Sequence, residues 1–282
     1  MSAPEFVAIG HVTLDRFGGM VRLGGAALYA AITAQRLGLT AGLLTSHADD
    51  FPLEALPPQI EVVTVPASET TSFEHTEEEG TRRLRLRGRA RPIGADDVPE
   101  DWGDAALVLL APVIDEVDPL AITRFPDATI GAAVQGWVRR AEPDGRIVPA
   151  AWEPPELLLG RLQALFLSAD DVAGAEDAAF EWFQHVPVGV MTAGRAGALL
   201  FVNGQRYELA VDPADEVDRT GAGDVFAATF LVHSDRNDDP WEAGRAASCA
   251  AGLSVTGAGW SRIPDRARLD RAVADWHRIE SE

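Results

Sequence analysis

Short apolar runs without alternation recur between helical stretches, and they constrain the fold more than anything else in the chain: Phe6 to Gly10, Ala41 to Thr45, Ile60 to Val65, Ala106 to Ala111, Thr129 to Ala133, Leu165 to Ser168 and Val188 to Thr192. A strand with one face in water alternates apolar and polar residues. A strand that is apolar throughout must be covered on both faces, which helices packed on either side of a parallel sheet achieve. The pattern predicts an α/β chain with a doubly wound, mainly parallel sheet flanked by helices. The 282 residues suffice for one such domain over 1–282, and no fixed-period repeat, low-complexity tract or linker divides it.

The stretch from Thr70 to Arg91 breaks the rhythm. Thr71 to Thr76 and Thr81 to Arg87 flank the turn-like Glu77-Glu78-Glu79-Gly80, a hairpin signal. In the second arm Leu84 and Leu86 alternate with Arg83, Arg85 and Arg87, giving one apolar and one basic face. Two readings stand side by side: a solvated face whose arginines pair with Glu74 and Glu77 to Glu79, or a flap over a substrate.

A formal charge of −20 excludes whole-molecule attraction to nucleic acid or to an anionic membrane surface, since both need a positive field. The single cysteine, Cys249, sits in the alanine-rich run Ala246 to Ala251 and reads as a core residue. The start lacks a basic region before a long apolar stretch, and Pro112 interrupts the longest apolar run, Ala105 to Ile114. No signal peptide or spanning helix is expected, and the cytoplasm is the expected location.

Chemistry concentrates in Asp218-Arg219-Thr220-Gly221-Ala222-Gly223-Asp224, which follows the β-like stretch from Gly204 to Val211 and opens a helix towards Val232. Small residues there let a ligand approach the backbone, and the first unpaired amides of a helix favour an anion. Asp224 is wrongly signed beside a phosphate site unless it has its own task. Phosphoryl transfer to an alcohol supplies one, because the attacking hydroxyl needs a proton acceptor while helix-end amides stabilise the transferred group.

That run resembles the signature of the ribokinase-like family, the PfkB carbohydrate kinases, written D-T-x-G-A-G-D, matching over Thr220 to Asp224 with Arg219 as the departure. A second match lies near the start: Gly10 followed by Asp15, then Gly24-Gly25 leading into the helical run Ala26 to Leu37. The stretches Leu165 to Asp171, Val190 to Gly197 and Ala246 to Gly259 resemble the family's phosphate-side strand end, nucleotide-side segment and final nucleotide-side helix and loop.

The resemblance implies a ribokinase-like fold with a small β lid from about 11–23 and 70–91, which favours the flap reading of the hairpin. It implies a kinase using ATP and Mg2+ on a small sugar or polyol, with Asp224 as base and the amides of Gly221, Ala222 and Gly223 as anion hole. Asp15, Gly24 and Gly25 would hold acceptor hydroxyls; Thr192, Gly194, Gly197, Thr220 and Gly257 would border the nucleotide. Magnesium would be held mainly through phosphates and waters. The lid permits a homodimer without requiring one.

Departures shape the substrate expectation. Tyr29 stands where the family often has a sugar-binding asparagine, which favours an inositol-like acceptor. A nucleoside stacked on Tyr29 is the alternative, and a non-catalytic regulatory protein is a third. Ser168 and Asp171 stand at the family's N-x-x-E positions, so Asp171 and Asp170 are read equally as water-mediated metal contacts or as N-caps of a helix from Asp170 to Gln184. Gln135 and Arg139 follow a strand end where relatives approach substrate or phosphate, while Trp137 reads as packing. Arg219 reads as a surface ion pair with Asp215, Glu216 or Asp218 ahead of a phosphate contact. His11 reads as solvated, and His47 and His75 lack metal-site spacing.

Overall fold

The computed structural model describes residues 2–78, 81–211 and 214–280. The chain opens with β1 (Phe6–Ile9), the hairpin β2 (Thr13–Phe17) and β3 (Met20–Gly24), α1 (Ala26–Arg36), β4 (Ala41–His47), β5 (Ile60–Pro66), and a second hairpin, β6 (Ser72–Glu78) and β7 (Thr81–Gly88). Next come β8 (Leu107–Leu110), β9 (Thr129–Ala133), β10 (Arg139–Ala141), β11 (Ile147–Pro149), α2 (Glu156–Leu159) and β12 (Leu162–Ser168). The chain continues with α3 (Glu176–Phe183), β13 (Val188–Thr192), β14 (Ala198–Val202), β15 (Gln205–Leu209), α4 (Ala222–Asn237), α5 (Pro240–Ser254) and α6 (Arg266–Glu280).

A nine-stranded sheet runs in the order β15-β14-β13-β12-β9-β8-β1-β4-β5. It is parallel from β13 to β5, as the all-apolar runs predict, and each of those runs forms one of its strands. The β14–β15 edge is antiparallel because its connection is too short for a crossover: Asn203 and Gly204 both take positive φ, the pattern that closes a two-residue hairpin. One core joins the sheet to α1, α4 and α5, and a second, around Trp102, Phe125 and Trp137, fills the other face. α4 lies across β8, β9 and β12, with Phe226 and Phe230 against Phe166 and Leu231 pressed onto Gly131.

The second sheet has four strands in the order β3-β2-β6-β7. Leu84 and Leu86 pack against the core, whereas Arg87 pairs with Glu74 and Arg85 with Asp144. The apolar face therefore turns towards the body and the basic face away from it. The hairpin turn at Glu79 and Gly80 lies outside the described residues.

His11 fastens the base of this sheet and is not solvated. It is fully buried, its main-chain amide donates to Glu116, and its ring bridges Thr71 Oγ1 (2.7 Å) and the Arg91 carbonyl (2.8 Å). Nε2 must donate to that carbonyl, so Nδ1 accepts from Thr71, whose hydroxyl accepts in turn from the Ala90 amide. Burial holds the ring's pKa below its ordinary value, in keeping with a neutral tautomer. The helix expected from Asp170 begins instead at Glu176, because residues 169–175 coil through turns with Gly174 at φ +81°. Cys249 is half-buried at the core's edge.

Candidate active site

β9, β12 and β13 are neighbours, and the residues after their carboxyl ends lie together on one rim of the sheet, where open α/β sheets bind ligands. Gly221 is the N-cap of α4 and takes φ +79°, a conformation costly to any residue with a β-carbon. A second constraint acts on it: a β-carbon there would fall inside the Tyr29 ring. At Gly223, in contrast, a β-carbon would meet nothing within 4 Å, so this is the open side of the turn.

The Ala222 amide does not serve the expected anion hole, since it closes the turn onto the Arg219 carbonyl at 3.2 Å. Among the described residues no protein acceptor takes the amides of Gly221 or Gly223. Asp218 braces the turn, accepting from the amides of Thr220 (3.0 Å) and Gly259 (3.1 Å) and from Arg22 on β3 (2.8 Å). Arg219 has no carboxylate within ion-pair distance among the described residues, because Glu216 pairs with Arg195 and Asp218 with Arg22.

Asp224 occupies the first turn of α4 with only part of its side chain reaching solvent. Its pKa is pushed up to about 7, first by desolvation and then by the Asp171 carboxylate, with Arg139 pulling the other way. The three residues thus form one electrostatic group. Arg139 donates to Asp171 Oδ1 (3.1 Å) and the Ser168 amide donates to Asp171 Oδ2 (3.0 Å). Asp171 therefore caps the turn after β12, not a helix, while Asp170 is exposed. Gln135 is half-buried on the turn after β9, and Trp137 donates its indole N–H to the Val117 carbonyl and packs.

On the small sheet, Asp15 is buried and accepts from Thr13 Oγ1 at 3.1 Å. Gly24 is glycine because a β-carbon would collide with the carboxylate of Asp15; Gly25, at φ +114°, because one would strike the His11 carbonyl. Tyr29, expected in the acceptor wall, has 3% of its surface exposed and lies beneath Gly221 and edge-on to Trp260, so its ring is not free to stack on a base. Its hydroxyl is held protonated by burial and then by Asp218, Asp224 and Asp15, so acceptor-side and phosphate-side carboxylates converge around it.

The residues expected on the donor side lie in turns. Thr192 ends β13, and the backbone then bends through Gly194 (φ +54°) and Gly197 (φ +92°), which sits against the Leu209 carbonyl. Gly257 is covered by the Arg262 side chain. Among the described residues no group of three or more His, Cys, Asp or Glu side chains could hold a metal ion. Both Asp171 oxygens are already engaged, so the residues fit a magnesium ion that arrives on phosphates and is steered through water, which is how that ion prefers to bind.

Residues 156–266 match the model of the pfkB family of carbohydrate kinases. The cytidine kinase of Thermococcus kodakarensis is 27% identical over 249 residues, covering 81% of this chain and 87% of that protein. A structure of a pyrophosphate-dependent myo-inositol-1 kinase converted into a myo-inositol-3 kinase superposes with a TM-score of 0.78 at 22% identity, covering 96% of this chain and 98% of that one. Arabidopsis thaliana ribokinase complexed with ribose and ATP gives 0.73 at 20% identity, covering 96% and 99%. At these identities the structural likenesses establish the fold, an α/β sheet flanked by helices of the ribokinase-like kind.

Proposed function

We propose that this chain, which has a ribokinase-like fold and matches the pfkB family carbohydrate kinase model over residues 156–266, is a phosphotransferase that moves the terminal phosphoryl group of ATP to a hydroxyl of a small sugar or polyol, an inositol-like ring being the preferred acceptor, with Asp224 as base. The observation that carries this is Asp224 itself, a carboxylate with pKa about 7 immediately after Gly223, whose amide is open, in the first turn of α4. A base whose pKa lies near working pH combines a usable ionised fraction with real proton affinity.

The acceptor hydroxyl would sit between Asp15 and Asp224. As its oxygen bonds to phosphorus and the bond from phosphorus to the nucleotide's bridging oxygen breaks, its proton passes to Asp224. The amides of Gly221 and Gly223 and the positive end of α4 stabilise charge on the transferring group. Arg139, already 3.1 Å from Asp171, keeps a second carboxylate from repelling that group. Magnesium bound to the phosphates would offset the negative charge that builds up on them during transfer.

A nucleoside acceptor is the second reading, favoured by the cytidine kinase that aligns with 81% of the chain. Several structural neighbours are pyrophosphate-dependent, so donor and acceptor are tested together. The experiment is phosphoryl transfer from ATP and from pyrophosphate, with magnesium, to myo-inositol, D-ribose, D-fructose and cytidine. Turnover of myo-inositol with ATP supports the reading, turnover of cytidine alone replaces it with the nucleoside reading, and a preference for pyrophosphate corrects the donor.

A further inference from the structure

Resting on the kinase reading, we propose that Arg219 binds the phosphoryl donor: its guanidinium holds oxygens of the phosphate seated on the turn before α4, at the position where the signature D-T-x-G-A-G-D has threonine. The argument begins with the hydrogen-bond donors that the turn can offer. The Ala222 amide is spent on the Arg219 carbonyl at 3.2 Å, so one amide expected in the anion hole is withdrawn from it. A closure of that kind keeps the first and fourth α-carbons within about 7 Å of each other. Arg219 therefore stands on the same turn as Gly221 and Gly223. The residue whose carbonyl withdraws an amide also carries the side chain that can replace it, because a guanidinium presents five N–H groups in a fork matched to phosphate oxygens.

The backbone that carries this side chain is pinned on both sides. The amides of Val217 and Asp218 donate to the Val255 carbonyl at 2.8 and 3.1 Å, and the Thr220 amide donates to Asp218 Oδ1 at 3.0 Å. The inner side of the turn is filled where the Tyr29 ring lies against Gly221, whereas the Arg219 side chain is exposed. Its charge is also uncommitted. Arg22 is paired with Asp218 (2.8 Å), Arg139 with Asp171 (3.1 Å) and Arg195 with Glu216 (3.0 Å). Arg219 has no carboxylate within ion-pair distance among the described residues, although Asp215, Glu216 and Asp218 share its loop. The cation that acts on Asp224 is Arg139, so Arg219 is not needed to steady the base. A phosphate entering a chain of net charge −20 requires the potential to be reversed locally, and a pre-positioned, unpaired arginine does that at the cost of ordering one side chain. The contact reads phosphate and not nucleoside, so it serves a nucleoside triphosphate and pyrophosphate alike.

The test uses the full chain and measures, by calorimetry with magnesium present, the affinity for ATP and for pyrophosphate, alongside turnover of myo-inositol, D-ribose and cytidine. Arg219→Gln removes the charge and the fork; Arg219→Lys restores the charge alone. For each donor that the wild type binds, we expect the glutamine variant to weaken the affinity by about tenfold to a hundredfold, and by a similar factor for both donors where both bind. The lysine variant should recover part of the loss. Acceptor KM and melting temperature should stay at their wild-type values, since the replaced side chain is exposed and unpaired. An unchanged donor affinity, a loss confined to ATP when both donors bind, or a loss that comes with a fallen melting temperature overturns the assignment while leaving the kinase reading intact. Wild-type protein that binds neither donor and transfers phosphate to no acceptor overturns both.

Discussion

The two walls of the site are built by opposite means. The wall we propose for the acceptor is made of side chains on paired strands, Thr13, Asp15 and Phe17, whose positions follow from register. The wall we propose for the phosphates is made of backbone in turns, where Gly194, Gly197 and Gly221 all take positive φ. A wall of side chains can change its ligand one residue at a time without disturbing the fold. A wall of backbone cannot, because each glycine is also a structural requirement.

Asp224 stands where the two walls meet, so its replacement should have the largest effect. Asp224→Asn removes the proton acceptor and should lower kcat by about a thousandfold, within the range for general bases, while acceptor and donor binding, followed by calorimetry, persist. Retained turnover would place the base elsewhere and dissolve the contrast. With the wild type, kcat/KM should rise with pH and level off above about 7, as Asp224 loses its proton.

Gly221 and Gly223 sharpen the contrast within a single turn. Gly221→Ala must hold φ +79° and displace the Tyr29 ring, so it should cost about 2–4 kcal/mol of stability and lower the melting temperature markedly. Gly223→Ala projects into open space; it should leave the melting temperature unchanged and raise the donor KM. Equal stability losses in both would show that the open side of the turn is also packed.

The carboxylate we propose as the base should also burden the fold. Asp224 has a folded-state pKa raised to about 7 from an ordinary value of 3.8, so its favourable folded form is the protonated one. Wild type and Asp224→Asn should be nearly equal in stability below pH 4. Between pH 4 and 7 the unfolded chain ionises first, and the wild type loses ground to the variant. Above pH 7 the gap should level off, on the order of 2 kcal/mol in the variant's favour, given partial solvent access. Melting temperatures across pH 4 to 8 give the answer, and a pH-independent gap would mean that Asp224 is solvated in the folded protein.

The two walls also differ in how visible they were in the sequence. Gly-Ala-Gly-Asp before a helical run announces itself, because positive φ and close approach leave few residues to choose from, and the all-apolar strands announced the parallel sheet for a similar reason. The surroundings of Asp15 did not, since the place of His75 beside it comes from pairing β2 with a strand about sixty residues on, and register is a tertiary property. The alternation Phe73-x-His75 was the available signal. Tyr29 was visible as a departure, but its direction was not: only packing reveals that the ring turns under Gly221. The helix expected from Asp170 starts later because Gly174 at φ +81° turns the chain first, so Asp171 caps a turn and not a helix, and the Asn203-Gly204 hairpin, a strong local signal, has no bearing on the site.

The smallest expected effect concerns an ion pair that ties the walls together, Arg22 on β3 to Asp218 below the phosphate turn at 2.8 Å. Arg22 is more than a third exposed and also lies 5.0 Å from the Phe17 ring centre, while Asp218 keeps its bonds from Thr220 and Gly259 whether or not the arginine is present. Arg22→Gln should therefore change stability by only about 0–1 kcal/mol. Because the pair joins the small sheet to the loop that leads into α4, its loss should still loosen the small sheet against the body, raising the acceptor KM by about two- to threefold while kcat and donor KM hold. A fall in kcat of tenfold or more would mean that the side-chain wall positions the backbone wall, and the two could no longer be treated as separately adjustable.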